Sequence, residues 1–449
     1  MTCWRIVAAC VLVSICSSPI RDATANAQLL GFTVSGSDPL AASAQAAPSY
    51  DYIFKNGFET PCSEDADHDG LSDCVETNTR VYVSATNTGT DPHNPDTDGD
   101  GLLDGEEVQG TSGGLNLPGM GVNPLHKDIL IEYDWFDDNN GSCFAHSHRP
   151  HASTAQALHD FYASAPILNP DGTQGINLIQ DYGQGGLFAG GNKIIDASNP
   201  NALIEENIQS TQYQAYEAVN FAANRHGYFH YMLMAHKFPT TSHSGIATPG
   251  GSEAITTLAC FADDNKIDGN LTGLAYIRNT IAHELGHNLG LQHGGDNSCN
   301  DKPNYNSVMN YRYQFTGADV GCNGLGDTTL TFKFGYSRGD RLTLDEDHLN
   351  EAQGMCTGTA VPIDWNGNGS YETAIAANIN IFNNRFGQVV YDFELQDCGG
   401  LFTILRDYND WGNLKLASVS PSFQGFGASR QTATTSPICG PIPNYSNKP

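Results

Sequence analysis

The segment His283-Glu-Leu-Gly-His-Asn-Leu-Gly-Leu-Gln-His293 constrains this chain more than any other feature. Ile277, Ile281, Leu285 and Leu289 recur every four residues and mark the buried face of a helix. On that helix His283 and His287 stand one turn apart and project in nearly the same direction. Gly290 is where the helix should break, because glycine tolerates the positive φ of a sharp turn. The turn brings His293 back to the other two. Three neutral imidazoles hold one zinc ion and leave its fourth tetrahedral position to water, with Glu284 beside them as general base. A solvated helix face with incidental histidines is the competing reading. A bare HExxH leaves that reading open; the full spacing argues against it.

Around this segment, helix-like and strand-like stretches alternate. Asp128-Ile-Leu-Ile-Glu-Tyr133 reads as a core strand. Ser153 to Ala165 carries Ala155, Leu158, Phe161 and Tyr162 at helical spacing, after a Ser/Thr start suited to an N-cap. Ile176 to Ile179 and Phe229 to Met234 read as further strands. The alternation predicts an α/β (α+β) domain over residues 125 to 415, with a twisted mixed sheet and the histidine-bearing helix beneath a cleft.

Downstream lies Ser307-Val-Met-Asn-Tyr311. With this second segment the chain resembles the metzincin clan, which pairs the long zinc motif with a methionine-containing turn beneath the metal. Its details look closest to secreted bacterial proteases of the pappalysin and related branches. The resemblance implies that Met309 packs its sulfur under the three imidazoles. Tyr311, placed as in the astacin and serralysin branches, is implied to approach the metal or the tetrahedral intermediate. It further implies a zinc endopeptidase acting on protein or peptide substrates, in which Glu284 takes a proton from a zinc-bound water and delivers it to the leaving nitrogen.

Residues 62 to 110 are acidic and repetitive. Asp65-Ala-Asp-His-Asp-Gly-Leu-Ser-Asp-Cys-Val-Glu76 and Asp96-Thr-Asp-Gly-Asp-Gly-Leu-Leu-Asp-Gly-Glu-Glu107 share one template. Asp65, Asp67, Asp69, Asp73 and Glu76 in the first match Asp96, Asp98, Asp100, Asp104 and Glu107 in the second. Acids at positions 1, 3, 5, 9 and 12 with glycine at 6 make the spacing of a calcium cage, closed by the carbonyls of Leu71 and Leu102. The pair resembles thrombospondin type 3 calcium repeats and is expected to form a stiff calcium-dependent spacer. The weaker run from Asp364 to Gly369 lacks an acid at position 12 and reads as a turn. His146, His148 and His151 read as a solvated loop rather than a second metal site.

The first 27 residues read as an export signal: Arg5, an apolar run from Ile6 to Ile15, and the small-x-small site Ala25-Asn26-Ala27. Residues 28 to 61 are a polar segment with an aromatic cluster at Tyr50, Tyr52, Ile53, Phe54 and Phe58, and 416 to 449 a loosely ordered tail. No later stretch reaches membrane-spanning length, so a secreted, extracellular monomer is expected. Export makes the remaining cysteines disulfide candidates: Cys62 with Cys74, Cys299 with Cys322, Cys356 with Cys398, and Cys439 unpaired. A formal net charge of -29 argues against nucleic acid as a partner. The rival from another class is a calcium-dependent adhesion or matrix-binding protein whose protease-like domain only docks partners. An intact Glu284 argues against it, since docking needs no general base.

Overall fold

The computed structural model describes residues 62–138, 145–259, 271–326, 333–380, 398 and 402–418. The expected export signal, the segment 28–61 with its aromatic cluster, Cys143, Cys260, Cys439 and the tail beyond 418 lie outside the described residues. Two short helices, α1 (Asp104–Gln109) and α2 (Leu117–Met120), lead into strand β1 (Asp128–Asp138). Then come β2 (His146–Ser147), α3 (Ala152–Ala163), β3 (Asn177–Asp181), β4 (Lys193–Ile194) and α4 (Thr211–Asn220). Next are β5 (Phe229–Ala235), β6 (Gly245–Ala247), β7 (Glu253–Thr257) and the long helix α5 (Leu271–Asn288). A small C-terminal region holds α6 (Tyr311–Gln314) and the paired strands β8 (Leu344–Asp345) and β9 (Ile404–Leu405).

The sheet is mixed and centred on β1. Strands β1, β5 and β7 are parallel neighbours, in register through Leu130 with Phe229 and Met232 with Ala254. On its other side β1 pairs in parallel with β3 and β4, and its last two residues pair antiparallel with β2. Strand β6 runs antiparallel to β7 and ends the strand order.

Parallel strands must be covered on both faces, and alternation along β1 divides its side chains accordingly. Ile129, Ile131, Tyr133 and Trp135 pack with Leu158, Phe161 and Tyr162 of α3 and with Ile277, Ile281 and Leu285 of α5. Leu130 and Phe136 face the opposite cluster, with Phe229, Tyr231 and Leu233 of β5 and with Leu102 and Leu117. The acids on this buried strand are paired. Glu132 and Asp181 bind the Arg225 guanidinium, and Asp134 accepts hydrogen bonds from Tyr231 Oη (2.7 Å) and the Asn192 amide (2.6 Å).

Three expectations change here. Helix α3 starts one residue early, because His151 Nδ1 rather than a Ser or Thr side chain accepts from the Ser153 amide and caps it. The acidic region, expected as a spacer, packs onto the sheet: Leu102 is in its core, and Asp100 Oδ2 accepts from the Asp128 amide at 2.6 Å. Cys62 pairs with Cys74 as expected, but the other bonds are Cys299 to Cys398 and Cys322 to Cys356, not Cys299 to Cys322 and Cys356 to Cys398. Pairing by nearness in sequence fails because Leu405 of β9 folds back against Leu344 of β8, in a cluster that also holds Cys299 and Cys322. Among the described residues no helix is long and apolar enough to cross a membrane.

Candidate metal centre

Helix α5 presents its histidines inward, where the core face predicts them: His283, Glu284 and His287 have no exposed surface. The helix stops as Gly290 takes φ +90° and the Leu291 amide bonds back to the Gly286 carbonyl at 2.9 Å. Any side chain at Gly290 would also meet the Lys415 chain, so both conformation and space require glycine. A tight turn from Gln292 to Gly295 then sets His293 beside the helix. The ring centroids of His283, His287 and His293 lie 4.7, 4.9 and 5.3 Å apart.

Hydrogen bonds fix which nitrogens face one another. His283 Nδ1 donates to the Val308 carbonyl and His287 Nδ1 to the Leu291 carbonyl, both at 2.8 Å. In neutral rings this turns each Nε2 lone pair inward, and the two Nε2 atoms stand 3.2 Å apart. Four nitrogens around zinc at about 2.0 Å would be separated by about 3.3 Å, so the spacing fits that ion. Burial pushes His287 down to about 4, and His283 and His293 well below their ordinary value, so the rings are neutral ligands at neutral pH. Two lone pairs facing each other at this distance repel unless a cation lies between them.

Glu284 stands outside this ligand set. The backbone of Gly245, at the start of edge strand β6, comes so near that an added Cβ would overlap the Glu284 carboxylate. Met309 is fully buried, and its sulfur fills the place a side chain at Gly286 would take. Asp410 holds that turn: it accepts from Tyr305 Oη (2.7 Å), Ser307 Oγ (2.6 Å) and the Ser337 amide (2.8 Å). The Tyr311 ring lies 4.4 Å from His293 and 5.9 Å from His283, centroid to centroid. Neither Gly245 nor Asp410 was singled out from sequence, since each acts through a contact made far along the chain.

In the acidic loops Asp65, Asp67 and Asp69 come together, as do Asp96, Asp98 and Asp100, while Glu76 meets Asp69 and Asp104. Asp96 accepts from the amides of Gly99, Asp100 and Gly101, and Gly101 takes φ +100°. Asp65 and Gly70 repeat this arrangement in the first loop. Both oxygens of Asp67 and Glu107, and one each of Glu76 and Asp98, are buried with no hydrogen-bond donor. Burial with like-charged neighbours pushes Asp69 up to about 6, Asp100 to about 7 and Glu76 to about 8. Orphaned carboxylate oxygens turned toward one another fit a hard divalent cation.

Position 9 departs from the expectation. Asp73 accepts from the Ala66 amide, and Asp104 accepts from the amide and hydroxyl of Thr97. Asp104 also converges with Asp69 and Glu76 of the first loop rather than with its own acids. The second loop gains Asp128 of β1, whose carboxyl is pushed well up by burial and by Asp100. The two loops therefore interlock. Asp364 accepts three loop amides in an exposed turn, as read. His151 is exposed, but His146 and His148 are not solvated: they are 3% and 2% exposed and face Asp138 and His236.

Residues 189–320 match the Reprolysin_5 model of metallo-peptidase family M12. That stretch runs from β4 through α5 and His293 to the methionine turn. Among solved structures, the chain is similar to the archaemetzincin of Methanopyrus kandleri, at 14% identity over 41% of this chain and 81% of that one, with a TM-score of 0.24. The family match and the buried histidine site together support a zinc-dependent peptidase.

Proposed function

We propose that this chain is a secreted zinc endopeptidase of the metzincin type, hydrolysing internal peptide bonds of extracellular proteins and stabilised by calcium in its acidic loops. One observation carries the reading. Three buried imidazoles, two of them with inward lone pairs, lie beside the carboxylate of Glu284, which is outside their group and touches an edge strand.

His283, His287 and His293 would hold the zinc. When bound, zinc supplies a Lewis acid that polarises the scissile carbonyl and acidifies water to a pKa of about 7. Strand β6 pairs only with β7 among the described residues, so its outer edge offers amides and carbonyls to an extended substrate. Because Gly245 begins that strand against Glu284, a peptide laid along it passes over the carboxylate. Glu284 takes the proton of the attacking water and passes it to the leaving nitrogen. Tyr311, packed on two of the ligand rings, is placed to donate to the developing oxyanion. A docking role would not need a buried carboxylate held at this position.

The test is cleavage of casein or gelatin by the purified secreted protein, with and without 1,10-phenanthroline. Glu284→Gln should keep its zinc and lose activity by about 10³-fold, within the range for a general base. Full activity in that variant, or in the zinc-free protein, refutes the reading.

A further inference from the structure

We propose that Asp138, His146, His148 and His236 form a second, closed zinc site that pins β2 to the carboxyl ends of β1 and β5. It does not depend on the peptidase reading. Asp138 is the last residue of β1, His146 lies in β2, His148 follows β2, and His236 follows β5. Their side chains are 0–2% exposed, and one ligand atom from each lies within 4.8 Å of all the others. From the Asp138 carboxylate, His148 Nε2 is at 2.6 Å, His236 Nδ1 at 2.9 Å and His146 Nδ1 at 3.4 Å.

One ring nitrogen of the cluster is buried without a hydrogen-bond partner. His146 Nε2 is 3.2 Å from the Ala259 carbonyl, which only accepts, so Nε2 carries the hydrogen. Nδ1 of the same ring faces Asp138 Oδ1 at 3.4 Å in a site without solvent. His236 Nδ1 is close to Oδ2, but not in hydrogen-bonding geometry. A cation among the four groups would take the lone pair of His236 Nδ1, and the Ala259 carbonyl would then orient a ligand ring as the Val308 and Leu291 carbonyls do on α5.

Three imidazole nitrogens and one carboxylate oxygen select zinc over calcium or magnesium, which take oxygen ligands. Four protein ligands complete a tetrahedron and leave no position for water, so the site is structural rather than hydrolytic. It also explains how β2, with two residues, holds its register of Asp137 with Ser147 and Asp138 with His146.

The experiment counts metals per chain by plasma mass spectrometry in the full secreted protein, in His287→Ala, and in His287→Ala combined with His148→Gln. The expected zinc counts are two, one and none. X-ray absorption at the zinc edge of His287→Ala should show three imidazoles and one carboxylate. The proposal is overturned if His287→Ala holds no zinc, if it holds a different metal, or if its zinc survives His148→Gln. Should the double variant fail to fold, the count and absorption spectrum of His287→Ala decide alone. If the wild type carries one zinc that survives His287→Ala and leaves with His148→Gln, the peptidase reading falls and this one stands.

Discussion

Among the described residues lie two clusters of three histidines, and they differ in what completes them. On α5 and its following turn, the three rings share their space with a carboxylate that is not a ligand. At the ends of β1 and β5, the carboxylate of Asp138 is itself the fourth member. On the proposed readings, the first arrangement would leave a coordination position for chemistry and the second would close it for stability. They also differ in construction. The first draws its three rings from eleven consecutive residues, whereas the second draws three rings and a carboxylate from positions spread between Asp138 and His236.

The contrast breaks most sharply by substitution. His287→Ala should abolish peptide cleavage, with a loss of at least about 10³-fold, while leaving the melting temperature within a few degrees of wild type. His148→Gln should do the reverse. Activity per folded molecule should persist, while calorimetry records a loss of about 3–5 kcal/mol, the usual cost of breaking a buried charged cluster. Equal effects of both variants on cleavage and melting would erase the distinction.

A smaller effect is expected at the turn beneath the first cluster. Asp410→Ala strands the hydroxyls of Tyr305 and Ser307 and the Ser337 amide, and should cost about 2–3 kcal/mol in denaturant unfolding. Because Ser307 begins the turn that carries Met309, kcat should fall with zinc still bound. Unchanged unfolding would show that the turn stands without its anchor. Gly286→Ala sharpens the same point. Its new methyl displaces the Met309 sulfur, for a loss of about 1–3 kcal/mol.

The smallest expected effect concerns the acidic loops. Asp69, Asp100 and Glu76 are raised from ordinary values of 3.8 and 4.5 to about 6, 7 and 8. Each carries no penalty below its ordinary value and a full one above its raised value, so the calcium-stripped protein should lose stability as pH rises through that window. Calcium binds the ionised form, and its stabilising effect should grow over the same window. Melting curves with EGTA or calcium across that range check both slopes. A melting temperature that climbs with pH in EGTA would contradict the first.

How much was legible depended on how far apart the cooperating residues lie. The three histidines on and after α5, the break at Gly290 and the loop acids at positions 1, 3 and 5 follow periodicities of one helix turn or one loop, and the structure brings each set together. Asp104 was assigned to its own loop, and crosses to Asp69 and Glu76 only because the loops interlock. His146 and His148 look like polar loop residues until β5 brings His236 against Asp138. The cysteines were paired with near neighbours, whereas the fold of β8 against β9 accompanies bonds spanning 34 and 99 residues.

The sequence by itself determined what local geometry enforces: a helix with two histidines one turn apart, a glycine that ends it, a third histidine three residues on, and loops whose glycines permit the bend. Tertiary structure alone decided which distant groups meet them: Gly245 against Glu284, Asp410 under the turn, Asp128 at the second loop, and the carboxylate among three histidines. The reason is physical. Backbone periodicity fixes directions over a few residues, but strand pairing and burial bring together groups whose separation in sequence carries no trace of their contact.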